Sequence, residues 1–90
     1  MKLVEVKILN RSGLHARPAA RFVQVVSRFK SVIQVCKGSQ CVDAKNILRV
    51  LSLGVDQGDL VVIKVDGPDE EEAYRSILDL LQNILPVEDR

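Results

Sequence analysis

The apolar pattern of this chain changes its period once near the start, and the change marks where a strand ends and a helix begins. Residues 2–9 (KLVEVKIL) nearly alternate apolar and polar positions, which predicts a β-strand. Residues 10–13 (NRSG) supply turn chemistry, and Pro18 then takes a first-turn position where a missing N–H costs no hydrogen bond. A helix is therefore expected to begin close to His15. Its apolar stripe comprises Ala19, Ala20, Phe22, Val23, Val26 and Phe29.

The middle of the chain predicts a hairpin followed by a short helix. Residues 31–36 and 41–43 are short β-like runs, and the Gly38-Ser39 pair between them fits a two-residue turn of type II′. Residues 44–51 then predict a short helix, for which Asn46 is a suitable N-cap.

The last third predicts one strand and one helix. Residues 60–66 (LVVIKVD) give the clearest strand pattern, and the acidic side chains of residues 69–72 favour a helix start. We expect Pro86 to stop this helix, whose apolar positions are Ala73, Ile77, Leu80, Leu81 and Ile84.

The resulting order, β-α-β-β-α-β-α, predicts an α/β (α+β) fold of two layers, with the helices on one sheet face and the other face toward solvent. The length of 90 residues predicts a single domain over residues 1–90. Because aromatic residues make up only 3% of the chain, its core should be aliphatic.

The charges are unevenly divided along the chain, although the net charge is only +1. Residues 1–50 carry ten Lys and Arg against two acids, whereas residues 51–90 carry three against ten. Either the two halves interleave in space and cancel, or basic residues gather around His15 to attract an acidic partner or a phosphate. The residues that could gather in this way are Arg11, Arg17, Arg21, Lys45 and Arg49.

Composition argues against several functional classes. Few aromatic residues and an acidic second half argue against nucleic-acid binding. Since no apolar run approaches about 20 residues and the start lacks a signal-peptide pattern, we expect no membrane insertion and a cytoplasmic location. A single histidine, with both thiols in another segment, predicts no metal site, and we expect no cofactor.

His15 is the residue of this sequence that is best suited to nucleophilic chemistry. A neutral imidazole can attack phosphorus and leave again, and a helix start offers unpaired N–H groups and a positive dipole end to a phosphoryl group. Arg17 could bind two oxygens of that group at once. The alternative is that His15 is a capping or partly buried residue without a chemical role.

Three segments of the chain resemble the HPr family, the histidine phosphocarriers of the bacterial phosphoenolpyruvate-dependent sugar phosphotransferase system. They are N-R-S-G-L-H-A-R-P-A-A-R-F at 10–22, A-K-N-I-L-R-V-L-S-L-G at 44–54 and G-D-L-V-V-I-K-V-D-G-P-D-E-E-E-A at 58–73. The resemblance implies an open-faced β-sandwich with a four-stranded antiparallel sheet and three helices on one face. It implies that Nδ1 of His15 carries the phosphoryl group, stabilised by Arg17 and by the backbone of Ala16 and Arg17.

The same resemblance implies a carrier, not an enzyme, with enzyme I as donor and enzyme IIA components as acceptors, acting as a monomer. A regulatory protein of a nitrogen-type phosphorelay, whose phosphorylation state is sensed by its partners, is the alternative. Both functions need His15 and Arg17, so the sequence does not separate them.

Residues 47–53 contain more apolar side chains than a short helix can bury. We expect Ile47 and Val50 to lie in the core. The resemblance places Leu48 and Leu51 in an exposed partner surface that also includes Ala20 and Arg49.

Two residues of this region depart from the family pattern. Asn46 stands where many relatives carry a phosphorylatable serine, so no regulation at that position is expected. Arg49 replaces a residue that is commonly small or uncharged and adds positive charge to the partner surface.

Cys36 and Cys41 flank the predicted hairpin turn and should face each other as a non-hydrogen-bonded pair, with Cα atoms about 4.5 Å apart. That separation permits a disulfide. A reducing cytoplasm would instead keep two free thiols, and the sequence leaves both possibilities open.

Overall fold

A four-stranded antiparallel sheet forms one layer of the protein, described here from a computed structural model of all residues 1–90. The strands are β1 (Lys2–Lys7), β2 (Val32–Lys37), β3 (Gln40–Asp43) and β4 (Leu60–Asp66), in the spatial order β1-β4-β2-β3. All neighbouring strands run antiparallel. The central strand β4 buries Val61, Ile63 and Val65 on one face, as the alternation of its sequence requires.

The helices form the second layer and cover one face of the sheet. They are α1 (Ala16–Val26), α2 (Ile47–Ser52) and α3 (Glu70–Asp79), the last continuing through a π-helical turn (Leu80–Ile84) into α4 (Leu85–Glu88). Between the layers lies one hydrophobic cluster of 22 residues, in which Phe22 is the only aromatic side chain. The open face of the sheet leaves Leu3, Val32 and Leu60 exposed. The predicted two-layer architecture and element order are confirmed.

The prediction that Pro86 ends the last helix is wrong. Proline in an α-helix lacks the N–H that would bond to the carbonyl four residues earlier, and its ring collides with that carbonyl. Here the preceding turn is widened, and the N–H of Leu85 donates to the carbonyl oxygen of Leu80, five residues back. Pro86 then lies in the first turn of α4, where proline is tolerated. The chain continues in helical conformation to Glu88.

The second helix begins three residues later than predicted. Asn46 is its N-cap, and the side-chain oxygen of Asn46 accepts hydrogen bonds from the N–H groups of Leu48 and Arg49. The preceding Ala44 remains tied to the sheet, because its N–H donates to the carbonyl oxygen of Ile33. The predicted N-cap is therefore confirmed, and it places the first residue of the helix at Ile47.

The hairpin between β2 and β3 has the predicted register. Gly38 has a positive φ of 60° whereas Ser39 does not, which fits the first-position glycine of a type II′ turn. Cys36 lies directly opposite Cys41, with Cα atoms 4.0 Å apart, and the two residues form a disulfide. The structure therefore contains the bridged alternative.

Asp69 joins the start of α3 to the loop between α1 and β2. Its carboxylate accepts hydrogen bonds from the N–H groups of Lys30 and Ser31 and from the Ser31 hydroxyl. The Ser31 hydroxyl, followed by the Lys30 N–H, holds the pKa of Asp69 below its usual value. The folded state is thus favoured by an ionised Asp69.

Acid should weaken the fold partly through Asp69. A carboxyl group whose pKa is lowered by folding contributes stability above its unfolded pKa, about 3.9, and that stability is lost as the pH falls through the folded pKa. Asp69→Asn should therefore lower the free energy of unfolding at pH 7 and flatten its decline below about pH 4. Urea denaturation between pH 7 and pH 2.5 measures both effects. Glu72→Gln, which alters an exposed acid of the same helix, is the control, and equal pH dependence in the two variants would contradict the prediction.

Loss of the disulfide should weaken the fold only modestly. Cys36 and Cys41 are 5 positions apart, and closing so short a loop stabilises a protein by about 2 kcal/mol in the loop-entropy model. The double variant Cys36→Ser/Cys41→Ser should lose at most about that much free energy of unfolding. Thiol titration of the purified protein under non-reducing conditions checks the premise. Two reactive thiols per chain would show that the bridge is absent under those conditions.

Candidate functional site

His15 occupies the N-cap position of α1 in an extended backbone conformation, with φ −123° and ψ 161°. Its side chain makes no capping hydrogen bond to the helix and is 39% exposed. Both observations argue against the alternative that His15 only caps or packs. The imidazole is held at the helix start and is accessible to another molecule.

Ala16, the next residue, is the one non-glycine residue with a positive φ, 48°. This left-handed conformation costs a residue with a Cβ about 1–2 kcal/mol. The N–H groups of Ala16 and Arg17 have no hydrogen-bond acceptor within the protein. The helix start therefore presents two free N–H groups beside the histidine, an arrangement that suits an anion.

Arg17 and Arg21 line a cleft of 510 Å³ between the start of α1 and the C-terminal segment. The guanidinium of Arg21 is ion-paired to the carboxylate of Glu88, with N–O distances of 3.3 and 3.4 Å. Arg17 makes no ion pair within the protein. The free positive charge of the cleft is therefore that of Arg17. The other lining residues are Ser12, Ala16, Pro18, Leu85, Glu88 and Asp89.

The loop before His15 is fixed by the C-terminal segment. The carboxylate of Asp89 accepts hydrogen bonds from the Asn10 amide and from both the N–H and the hydroxyl of Ser12. The Asn10 amide, followed by the Ser12 N–H, lowers the pKa of Asp89. The N–H of Arg11 also donates to the carbonyl oxygen of Asp89. The C-terminal segment thus holds the loop that leads into His15.

Gly13 brings the loop against the turn that follows α2. The N–H of Leu14 donates to the carbonyl oxygen of Val55, 3.0 Å away. Gly13 has φ +64°, and a Cβ at this position would lie 2.2 Å from the same oxygen. Only glycine permits this approach.

Asp56 is the site residue that sequence reasoning missed. Its Oδ1 lies 2.8 Å from Nε2 of His15, although the two residues are 41 positions apart. No local pattern in the sequence connects them. The only available signal was the position of Asp56 in a turn next to the second helix, and turn acids are common.

The alternative that basic residues gather around His15 does not hold for Lys45. Its Nζ donates to the carbonyl oxygen of Phe29, beyond the opposite end of α1. Helix C-termini present unpaired carbonyl groups that attract such a cation. Arg11 donates to the carbonyl oxygen of Arg90, and Arg21 is neutralised by Glu88.

The second helix distributes its apolar side chains as predicted. Val50 is buried and Ile47 packs partly against the core. Leu48 is 74% exposed and Leu51 is 36% exposed. Arg49 and, on α1, Ala20 are also exposed, so the four predicted partner-surface residues are accessible.

Two further findings bear on the class of protein. The structure contains no group of three or more His, Cys, Asp or Glu side chains placed to hold a metal ion. None of its helices has both the length and the apolar character needed to cross a membrane.

Known proteins identify the family. The family model described as the PTS HPr component phosphorylation site matches residues 3–83. The chain belongs to the HPr family. The phosphocarrier protein HPr of Treponema pallidum is 42% identical over 83 residues, which is 92% of this chain and 94% of that protein.

Solved HPr structures share the fold. A crystal structure of HPr from Thermoanaerobacter tengcongensis superposes with a TM-score of 0.92 at 48% identity, covering 94% of this chain and 96% of that one. A crystal structure of an HPr dimer from the same organism has a TM-score of 0.73 at 50% identity and covers 91% of this chain and 94% of that one. HPr membership supports a general phosphocarrier role for this chain.

Proposed function

We propose that this HPr protein accepts a phosphoryl group from phospho-enzyme I on Nδ1 of His15 and passes it to enzyme IIA components during sugar uptake. The observation that carries the proposal is the exposed His15 imidazole beside two N–H groups without acceptors, those of Ala16 and Arg17. The protein is a stoichiometric carrier and not an enzyme, because each transfer leaves His15 itself modified until the next protein removes the group.

The chemistry follows from three groups at the helix start. The lone pair of Nδ1 attacks phosphorus while the bond from phosphorus to the donor's nitrogen breaks. The N–H groups of Ala16 and Arg17, together with the positive end of the helix dipole, stabilise the negative charge of the transferred group. The Arg17 guanidinium, which makes no ion pair within the protein, can bind two of its oxygens.

The partner surface consists of Ala20, Leu48, Arg49 and Leu51. Its exposed leucines supply apolar contact, and Arg49 supplies positive charge for an acidic partner. Asn46 caps α2 and carries an amide, which cannot be phosphorylated as a serine can. The protein is therefore not regulated by phosphorylation at residue 46, and His15 is the position that carries phosphate.

The protein is proposed to work as a cytoplasmic monomer. The partner surface is then free for enzyme I and for enzyme IIA in turn. Because a related HPr forms a dimer in a crystal, sedimentation of the purified protein at the concentration used for transfer assays determines the working state.

Incubation with phosphoenolpyruvate and enzyme I should add one acid-labile phosphate to the wild-type chain and none to His15→Ala. Labelled protein should then lose its phosphate to an added enzyme IIA. Labelling that survives in His15→Ala would contradict the proposed site. Labelling of the wild type without transfer to any enzyme IIA would favour the regulatory alternative of a nitrogen-type phosphorelay.

Arg17→Ala should slow phosphoryl transfer by roughly 10- to 100-fold, because a charge-assisted bidentate contact to the transferred group is lost. The fold should be unaffected, since Arg17 is exposed and unpaired. Arg28→Ala removes an equal charge beyond the other end of α1 and serves as the control. Equal rates in the two variants, measured by rapid quenching, would remove Arg17 from the mechanism.

A further inference from the structure

Asp56 contacts the one nitrogen of His15 that the proposed transfer does not use. The carboxylate oxygen Oδ1 lies 2.8 Å from Nε2, a hydrogen-bond distance. Neither residue is buried, since the side chain of His15 is 39% exposed and that of Asp56 is 73% exposed. Exposed ion pairs contribute little to stability. Stability therefore does not account for the contact between Asp56 and His15, and a role in the chemistry of the ring does.

The turn that carries Asp56 is anchored by its own hydrogen bonds. The N–H of Asp56 donates to Oδ2 of Asp59, and that same oxygen is 3.0 Å from Nζ of Lys37. Lys37 also donates to the carbonyl oxygen of Gly54 at 2.7 Å. Lys37 thus contacts the residues at both ends of the turn, Gly54 and Asp59.

The turn is tied to the neighbouring loop and strand as well. The N–H of Gly58 donates to the carbonyl oxygen of Ile8 at 2.7 Å, and the N–H of Leu14 donates to that of Val55. The backbone of Asp56 is therefore held next to the histidine loop by contacts on both sides.

The hydrogen bond decides which ring nitrogen is free. An ionised carboxylate only accepts hydrogen bonds, so Nε2 must be the nitrogen that carries the hydrogen. The tautomer of a histidine is set by the partner of one nitrogen, and here the other nitrogen, Nδ1, keeps its lone pair. We infer that Asp56 is a positioning residue that holds His15 in the Nε2–H tautomer, with Nδ1 as the nucleophile, and stabilises the charged ring that phosphorylation creates. The inference rests on the proposed function.

The transfer balances with the Nε2 proton in place. The lone pair of Nδ1 forms the new bond to phosphorus, and the electron pair of the breaking bond returns to the nitrogen of the donor. His15 becomes an Nδ1-phosphorylated ring with hydrogen on Nε2, which carries a positive charge beside the Asp56 carboxylate. In onward transfer the same ring leaves as neutral imidazole, so no proton has to move at either step.

The other charged groups around the site have different partners. Asp59 and Lys37 pair with each other, and Asp89 is bound by Asn10 and Ser12. Arg17 lies two residues further along the chain and faces the cleft. Asp56 is therefore the one carboxylate paired with the ring.

The test compares Asp56→Ala and Asp56→Asn with Glu72→Gln, which removes an exposed acid in the first turn of α3. The ¹⁵N chemical shifts of the neutral imidazole report the tautomer without any phosphorylation. In the wild type and in Glu72→Gln the Nε2–H form should dominate, and in Asp56→Ala the Nδ1–H fraction should rise several-fold. Phosphorylation by enzyme I should slow by about tenfold in Asp56→Ala, the lower end of the 10- to 100-fold loss found when a metal-bound histidine loses its hydrogen-bond partner.

The pH dependence of onward transfer to enzyme IIA is a second measurement. It would not change if Asp56 had only a structural role. Loss of the carboxylate favours loss of the Nε2 proton from the phosphorylated ring, so the rate should begin to fall at a lower pH in both Asp56 variants than in the wild type. An unchanged tautomer ratio in Asp56→Ala, or an unchanged pH profile in both variants, would overturn the inference. If the wild type takes no phosphate at all, the proposed function fails, while the ¹⁵N shifts still decide whether Asp56 sets the tautomer.

Discussion

The close approach of Gly13 to the backbone of Val55 is the constraint on which the site depends. A Cβ at residue 13 would lie 2.2 Å from the Val55 carbonyl oxygen, so the contact exists only because the side chain is absent. It sets the loop before α1 against the turn after α2. It brings together two distant parts of the chain, whose residues His15 and Asp56 lie at hydrogen-bond distance.

A second constraint comes from the C-terminal segment, which reaches the same loop from the other side. The π-helical turn before Pro86 lets the chain remain helical while Leu85 stays in the core. Glu88 then meets Arg21, and Asp89 binds the backbone and side chain of Ser12. The last helix thereby forms one wall of the cleft beside His15.

Local features of the fold could be predicted from the sequence because each depends on neighbours in the chain. The Asn46 cap, the Gly38 turn and the alternation of β4 are examples. The missed features depend on contacts between distant residues. Pro86 signals a helix stop unless the preceding turn widens, and the partners of Asp56 and Asp89 are 41 and 77 positions away. Nothing in a local window indicates such pairs.

The uneven division of charge along the chain is resolved by contacts between its halves. Lysine and arginine of the first half meet acids of the second half in the pairs Lys2–Glu71, Lys37–Asp59 and Arg21–Glu88. These three pairs support the interleaving alternative. Arg17 is left outside this pairing, at the start of a helix whose first N–H groups are also free. Because Glu88 neutralises Arg21, the attraction of the cleft for a phosphoryl group comes from the Arg17 guanidinium and the two free N–H groups.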